Sequence, residues 1–257
     1  MNIDILTLFP EMFAPVLGAS MLGRASEKGI LNINAVNIRD FAANKHKKTD
    51  DTPFGGGAGM VMMAQPVFDA LRSVGAEKKR IIYMSPRGRR LDGELARSLA
   101  QEEDLVFLCG HYEGIDERII DYWHPEEVSI GDYILTGGEL AAMVVIDATA
   151  RLIPEVLGNN DSVMEESVYS GLIEYPQYTK PREYEGMGVP EVLLSGNHKA
   201  IALWQLEKGC EITKERRPDL WEAFLQDEER LAGLSKQEKK IIEKVFNDRR
   251  QAWQKKI

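Results

Sequence analysis

Two glycine-rich loops, each placed after a predicted strand, carry residues suited to binding a ligand against bare backbone. Gly110 to Ile115 follows the apolar run Leu105 to Cys109, and the stretch Ser129 to Leu140 is entered by the short extended run Glu127 to Ile130. Glycine leaves backbone amides uncovered, so a ligand can lie directly on them. One such loop would be typical of an ordinary strand-to-helix turn. Two predict a cofactor site, because loops at the carboxyl ends of strands in an α/β sheet meet on one edge.

A third glycine run, Phe54 to Met60, is the densest in the chain and reads Phe-Gly-Gly-Gly-Ala-Gly-Met. It lacks the Gly-Lys-Ser/Thr of a nucleotide triphosphate loop and the spacing of a dinucleotide fingerprint. The basic segment Lys45 to Lys48 lies just upstream and favours a phosphate-bearing partner. The run predicts either a flexible loop or a surface where backbone amides meet an anion or a flat base.

Carboxylates that could act as a general base occur later in the chain. Asp161, Glu165 and Glu166 lie in an acidic stretch with Glu174 beyond it, and Arg151 precedes them near a helix end. An arginine there can orient a substrate carbonyl or phosphate, whereas acidic stretches also serve as solvated linkers, and both interpretations stay open. The four histidines share no spacing with one another or with cysteine that indicates a metal site.

Composition restricts the class of protein. The chain has 257 residues, of which 44% are hydrophobic and 28% charged, as in soluble globular proteins. With two cysteines, no signal-peptide features and no apolar run of bilayer length, it is predicted to be cytoplasmic and to need no membrane. A net charge of −9 argues against bulk electrostatic binding of nucleic acid, so an RNA partner would be recognised by shape and a few bases.

The elements that must position these residues alternate between strands and helices over the first part of the chain. Runs such as Ile3 to Phe9 and Arg80 to Met84 predict buried strands. Apolar residues from Met12 to Met21 fall at helical spacing and predict one helix that ends at Gly29. The alternation predicts an α/β fold with a mostly parallel sheet and helices on both faces.

Two shorter segments carry specific predictions. Thr136 and Glu139 stand at capping-box spacing, which predicts a helix that begins just inside Gly137. Residues 40–63 predict a long loop, which is uncommon in a compact domain unless it is functional.

The chain changes character after Pro154. Residues 158–175 are polar and acidic and predict a flexible linker, and the following part becomes helical, with Asn197 as a helix cap. We predict an α/β domain over residues 1–157, the linker 158–175 and a helical domain over 176–257.

Five motifs together resemble the bacterial tRNA (guanine-N(1)-)-methyltransferase family: Pro53 to Met60, Cys109 to Ile115, Ser129 to Leu140, Tyr178 to Pro181 and Leu193 to His198. The resemblance implies a knotted, SPOUT-type α/β fold, in which the chain threads through a loop, followed by a small helical tRNA-binding domain. It implies a homodimer with active sites at the subunit interface. It further implies methyl transfer from S-adenosyl-L-methionine to N1 of the guanine on the 3′ side of the anticodon (tRNA position 37). A role for Mg²⁺ in the reaction is left open, and the sequence shows no recognisable protein site for this ion.

The resemblance also assigns site residues, position by position. Those matched to the family's cofactor pocket are Tyr83, Ser85, Pro86, Gly110, Tyr112, Glu113, Ser129, Ile130, Gly131, Asp132, Tyr133, Ile134, Leu135, Gly137 and Gly138. Those matched to its tRNA-binding surface are His46, Asp50, Gly55, Gly56, Gly57, Gly59, Glu174, Lys180, Arg182 and Asn197.

The catalytic position departs from the family pattern, which is usually Asp-Ser-Phe. Alignment on Gly158 and Gly171 places Glu166-Ser167-Val168 there, and an Asp-Ser pair begins earlier, at Asp161. We predict Glu166 as the general base, with Asp161 as the reserve candidate, and Arg151 beside the guanine.

Two other classes of function stay open at this point. A non-enzymatic RNA-binding module of the same fold would fail to bind S-adenosylmethionine. A nucleotide phosphate-handling enzyme that uses the triglycine run would turn over ATP without RNA, although the missing Lys-Ser/Thr disfavours it.

Overall fold

The computed structural model describes residues 1–157 and 170–254, with side chains described up to residue 247 in the second stretch. The chain divides into two compact units, Met1–Asn160 and Asp161–Ile257. The finer division, with a separate linker at 158–175, stays a prediction. Over the described stretches, no helix combines the length and apolar character needed to cross a bilayer.

The first unit alternates strands and helices. In chain order its elements are β1 (Asn2–Thr7), α1 (Ala14–Leu17), α2 (Ser20–Glu27), β2 (Asn32–Asn37), β3 (Asp50–Asp51), β4 (Val61–Met62), α3 (Ala64–Ser73), β5 (Arg80–Arg90), α4 (Gly93–Leu99), β6 (Asp104–Cys109), α5 (Glu117–Trp123), β7 (Glu126–Ser129) and α6 (Glu139–Ala150). Short 3₁₀ turns lie at Pro10–Met12, Ile38–Phe41 and Ala76–Lys78. Five strands form one parallel sheet in the order β2-β1-β6-β5-β7. The predicted α/β class is confirmed, and the knotted threading stays a prediction.

Both faces of the sheet are covered, as the uninterrupted apolar strands require. Alternate residues of a strand point to opposite faces, so Leu105 and Phe107 of β6 pack into one core cluster and Val106 and Leu108 into the other. The first cluster is closed by residues of α1, α2, α4 and α6, and the second by residues of α3 and α5. The sheet is therefore a rigid support for whatever lies at its carboxyl edge.

The single helix predicted up to Gly29 is wrong, because the chain turns after α1. Gly18 is the carboxyl cap of α1, and Ala19 is extended before α2 begins. A Cβ at Gly18 would stand 2.6 Å from the Ala14 carbonyl oxygen, and one at Gly23 would stand 2.3 Å from the Gly18 oxygen. The apolar spacing continues in phase across this turn, so periodicity alone does not reveal it.

Residues 40–63, predicted to be a long loop, contain two short paired strands. β3 and β4 pair antiparallel, with Asp50 opposite Met62, and the Met63 amide donates to the Thr49 carbonyl at 2.8 Å. We call residues 50–62 the glycine hairpin, because the run Gly55 to Gly59 forms its tip. Two-residue strands are too short to stand out in the sequence.

The second unit is mainly helical. Its described elements are a hairpin of β8 (Glu183–Tyr184) and β9 (Met187–Gly188), then α7 (Glu191–Leu194), α8 (His198–Arg216), α9 (Pro218–Gln226), α10 (Glu228–Gly233) and α11 (Lys236–Gln254). Its core is formed by Cys210, Trp221, Phe224, Ile242 and Val245. The Asn197 side chain accepts from the Ala200 amide at 3.2 Å and caps α8, which confirms the predicted cap.

Candidate active site

A cavity of about 450 Å³ opens at the carboxyl edge of the sheet. Three neighbouring strands supply its walls: β5 through residues 83–87, the loop after β6 through 110–115, and β7 with the segment after it through 128–138. We call it the sheet-edge cavity. The two glycine loops meet here, since the Gly138 amide donates to the Gly110 carbonyl at 2.9 Å and His111 bridges to Gly137.

The structure brings nearly all residues matched to a cofactor pocket to this cavity. Those that line it are Tyr83, Ser85, Pro86, Gly110, Tyr112, Glu113, Ser129, Ile130, Gly131, Tyr133, Ile134, Leu135, Gly137 and Gly138. Asp132 is not among the lining residues. Its carboxylate instead pairs with the Arg90 guanidinium, and both side chains are well exposed.

Gly138 is held where two backbones approach closely. A Cβ at this position would stand 2.9 Å from the Cys109 Cα, 3.1 Å from the Gly110 nitrogen and 3.2 Å from the Met84 Cβ. Its backbone is right-handed helical, so conformation alone would accept alanine. The glycine is required because the floor of the cavity needs the loops after β6 and β7 in contact.

Tyr83 lies beside the glycine loop after β6. It is buried, and a Cβ built at Gly110 would stand 3.1 Å from its hydroxyl oxygen. Burial, with the nearby charge of Glu127, raises the pKa of Tyr83 to about 12, so its phenol stays neutral at physiological pH. Tyr83 therefore contributes a flat, uncharged surface to the wall.

A buried polar cluster fixes the loop behind the cavity. The Thr7 hydroxyl donates to Glu139 Oε1 at 2.6 Å, and His111 Nε2 lies 2.8 Å from Glu139 Oε2. Glu139 is almost fully buried. Its carboxylate therefore does not complete the predicted capping box, and α6 begins after Gly138 without a side-chain cap. Glu139 joins the end of β1 to the loop after β6 instead.

Charged side chains gather at one side of the cavity. Arg87 pairs with Glu127 at 3.2 Å and with Glu117 at 3.5 Å. The negative charge of Glu127 above all, opposed by burial and supported by Glu117, raises the pKa of Arg87 above its ordinary value. The guanidinium is thus permanently charged and largely balanced by these two carboxylates.

Nine further lining residues were not assigned individually from the resemblance: Met84, Arg87, His111, Gly114, Ile115, Glu117, Val128, Thr136 and Ala141. Of these, His111, Gly114, Ile115 and Thr136 belong to the two glycine loops predicted to form the cofactor site. Most of the nine are sequence neighbours of residues assigned to the cofactor pocket, and this proximity could have identified them. Arg87 and Glu117 come from different elements, and only the packed sheet brings them together.

The glycine hairpin is fastened to the loop after β6. The Glu113 amide donates to the Met60 carbonyl at 3.0 Å, and the Met62 amide donates to the Gly114 carbonyl at 3.0 Å. Gly59 lies against the Glu113 side chain, since a Cβ there would stand 2.5 Å from Glu113 Cγ. Of the residues matched to a tRNA surface, His46, Asp50, Gly55, Gly56, Gly57 and Gly59 thus occupy or adjoin a hairpin that starts at the cavity wall.

The other residues matched to a tRNA surface belong to the second unit. Glu174, Lys180 and Arg182 are exposed. Asn197 uses its side-chain oxygen to cap α8, so its role in the described structure is to begin a helix.

The residues predicted to be catalytic are only partly described. Arg151 is half-buried and follows the carboxyl end of α6 as its cap. Glu166 and Asp161 lie outside the described residues. No group of three or more His, Cys, Asp or Glu side chains suited to a metal ion occurs within residues 1–157 and 170–247.

Comparisons with known proteins agree with one another. The family model described as tRNA (Guanine-1)-methyltransferase TrmD matches residues 1–223. A tRNA (guanine-N(1)-)-methyltransferase of Ruminiclostridium cellulolyticum is 56% identical over 224 residues, which are 86% of this chain and 96% of that protein. One of Clostridium tetani is 52% identical over 242 residues, 94% of this chain and 97% of that protein. One of Clostridium acetobutylicum is 51% identical over 243 residues, 94% of this chain and 96% of that protein.

Proposed function

Because the chain belongs to the tRNA (guanine-1)-methyltransferase family, we propose that its sheet-edge cavity holds S-adenosyl-L-methionine while a guanine of tRNA is methylated. The chain is a methyltransferase that acts on guanine N1 of tRNA. The guanine proposed is the one on the 3′ side of the anticodon. The observation that carries the proposal is the meeting of the loops after β6 and β7 around one cavity.

The lining of the cavity fits this methyl donor. Gly110, Gly131 and Gly138 leave backbone exposed where a Cβ would collide with neighbours. Ile130, Leu135 and the neutral ring of Tyr83 supply apolar and flat surfaces for a nucleoside. Glu113, which lines the cavity, offers negative charge to a cationic group. When bound, S-adenosylmethionine supplies a methyl group already activated by its sulfonium.

The residues of this chain must then align the acceptor and remove a proton. N1 of guanine carries a proton at neutral pH, and transfer leaves a surplus proton on the base unless a carboxylate takes it. We assign this general base to Glu166, with Asp161 in reserve. Arg151 would lie at the guanine carbonyl oxygen and balance the negative charge that develops there. Alignment of the reacting groups can supply up to about 7–11 kcal/mol of the barrier in model systems.

The test is mass mapping of methylated guanosine in tRNA transcripts incubated with the protein and S-adenosylmethionine. We expect one methylated guanine beside the anticodon and none when that guanine is replaced by adenine. Methylation at another position would refute the proposed target. Absence of both donor binding and methylation would instead favour a non-enzymatic RNA-binding role.

We also propose that the active unit is a homodimer in the cytoplasm, where tRNA is available. Leu140 and Val144 are one helical turn apart on α6 and are 52% and 47% exposed. Ile134, on the segment before α6, is 80% exposed. An apolar surface of this kind beside a cavity is typical of an interface. A second copy covering it would complete the rim, because Ile134 itself lines the cavity.

Light scattering tests the dimer. The chain has a mass of 28.9 kDa, and we expect twice that mass in solution. Replacing Leu140 and Val144 together by lysine should shift the mass to that of one chain, because two charges cannot be buried in an apolar interface. Phe246→Lys, at a residue exposed to 49%, is the matched control and should leave the mass unchanged. A wild-type protein that is monomeric at micromolar concentration would contradict the proposal.

A further inference from the structure

Phe54 is the most exposed large hydrophobic side chain among the described residues. Its relative accessibility is 103%, against 80% for Ile134, which is next. An aromatic ring at this exposure gains nothing from the folded protein alone. It is positioned by the glycine hairpin but contacts no hydrophobic cluster of the first unit.

The hairpin holds this ring outward in open space. Gly55 and Gly56 adopt φ of +86° and +80°, and a Cβ built at either meets nothing within 4 Å. The chain therefore turns directly after Phe54 at two glycines whose Cβ positions face open space. An exposed ring on such a tip is free to present one face to a flat partner.

The same hairpin is tied to the sheet-edge cavity. Gly59 contacts Glu113, which lines the cavity, and the Met60 carbonyl accepts from the Glu113 amide at 3.0 Å. Gly59 is five positions after Phe54, so their Cα atoms lie at most about 18 Å apart. That distance corresponds to the length of a few stacked nucleotides, since bases along one strand of a duplex are about 3.4 Å apart.

Charge near the hairpin suits a nucleic acid strand. Lys47 pairs with Asp40 at 3.0 Å, and Lys48 pairs with Asp51 at 2.9 Å. The exposed Lys45 and His46 form no ion pair within the described part of the chain. Lys45 thus leaves a positive charge available to a phosphate a few residues before the hairpin begins.

We propose that Phe54 stacks on an unpaired base of the tRNA near the target guanine. The stacked ring would hold the anticodon loop of the tRNA open while the guanine enters the sheet-edge cavity. The inference rests on the proposed function. A base that is modified at N1 must leave the stack of bases around it. An aromatic side chain that stacks on a neighbouring base replaces part of the stacking energy that this neighbour loses. Phe54 is thus a positioning residue that acts through the substrate rather than on the reacting atoms.

The first experiment is steady-state methyl transfer with four variants, with tRNA and S-adenosylmethionine varied in turn. Phe54→Ala and Phe54→Leu should lower kcat/KM for tRNA roughly 5- to 150-fold, the range expected for one lost base–aromatic stack. Phe54→Tyr and Phe54→Trp should stay within about twofold of wild type, because both present a flat ring. The KM for S-adenosylmethionine should not change in any of them. Full activity of the leucine variant would overturn the proposal, since leucine is apolar but cannot stack.

The second experiment identifies the base. Transcripts with an abasic nucleotide at each anticodon-loop position in turn are compared on wild type and Phe54→Ala. At one position, loss of the base should slow wild type but add little to the alanine variant, as coupled partners do in a double-mutant cycle. Coupling at no position, or dissociation of a wild-type dimer by Phe54→Ala, would overturn the proposal. If wild type fails to methylate any transcript, the proposed function itself fails instead.

Discussion

Glu166→Gln is expected to lower the single-turnover rate of methyl transfer by about 10²–10⁴-fold, the contribution of a positioned general base. Glutamine keeps the size and shape of the side chain but cannot accept the proton from guanine N1 at neutral pH. S-adenosylmethionine binding should persist with an unchanged Kd, because the residues proposed to hold the donor are those that line the sheet-edge cavity, and the substitution changes none of them. Rapid-quench transfer of a labelled methyl group, together with equilibrium dialysis, measures both quantities.

Asp161→Asn is the matched control, as it makes the same change of carboxylate to amide five residues earlier. We expect it to retain most of the transfer rate. The opposite pattern, with Glu166→Gln active and Asp161→Asn inactive, would move the general base to Asp161. It would leave the cavity and its proposed ligand untouched.

Gly138→Ala is expected to weaken binding of S-adenosylmethionine roughly 5- to 150-fold. The added methyl group would stand 2.9 Å from the Cys109 Cα and 3.1 Å from the Gly110 nitrogen, where only backbone could yield. Overpacking of this kind costs about 1–3 kcal/mol. We expect the strain to separate the loops after β6 and β7 and to lengthen the hydrogen bond from the Gly138 amide to the Gly110 carbonyl, which is 2.9 Å in the wild-type chain. Calorimetric titration of the donor into the purified variant measures the effect.

Gly233→Ala controls for the general effect of replacing a glycine. A Cβ at Gly233 meets nothing within 4 Å, and its φ lies outside the left-handed region, so the donor Kd and the melting temperature should both be preserved. If Gly138→Ala binds the donor as wild type does while remaining folded, the sheet-edge cavity is not where the donor binds.

The sequence by itself determined the class of fold and the edge of the sheet that carries the cavity. Strands such as β6 are recognisable because every residue from Leu105 to Cys109 is apolar, as burial on both faces requires. The glycine loops are recognisable because they follow strands directly, and parallel topology then brings them to one edge. These signals depend on residues close together in the chain and can therefore be recognised from the sequence. The list of individual cavity residues came from the family resemblance, not from periodicity.

Tertiary structure alone decided which side chains meet. Glu139 stands at capping-box spacing from Thr136, yet it bonds Thr7, 132 residues away, and His111. Asp132 sits among cavity residues in the sequence, yet its carboxylate pairs with Arg90. The hairpin bonds that bring Gly59 to Glu113 also join distant segments. Such pairings depend on how the strands of the sheet align with one another, and a shift of one residue would turn each side chain to the opposite face. The spacing of residues along the chain does not reveal this alignment of the strands, because the alignment is set by the packing of both core clusters together.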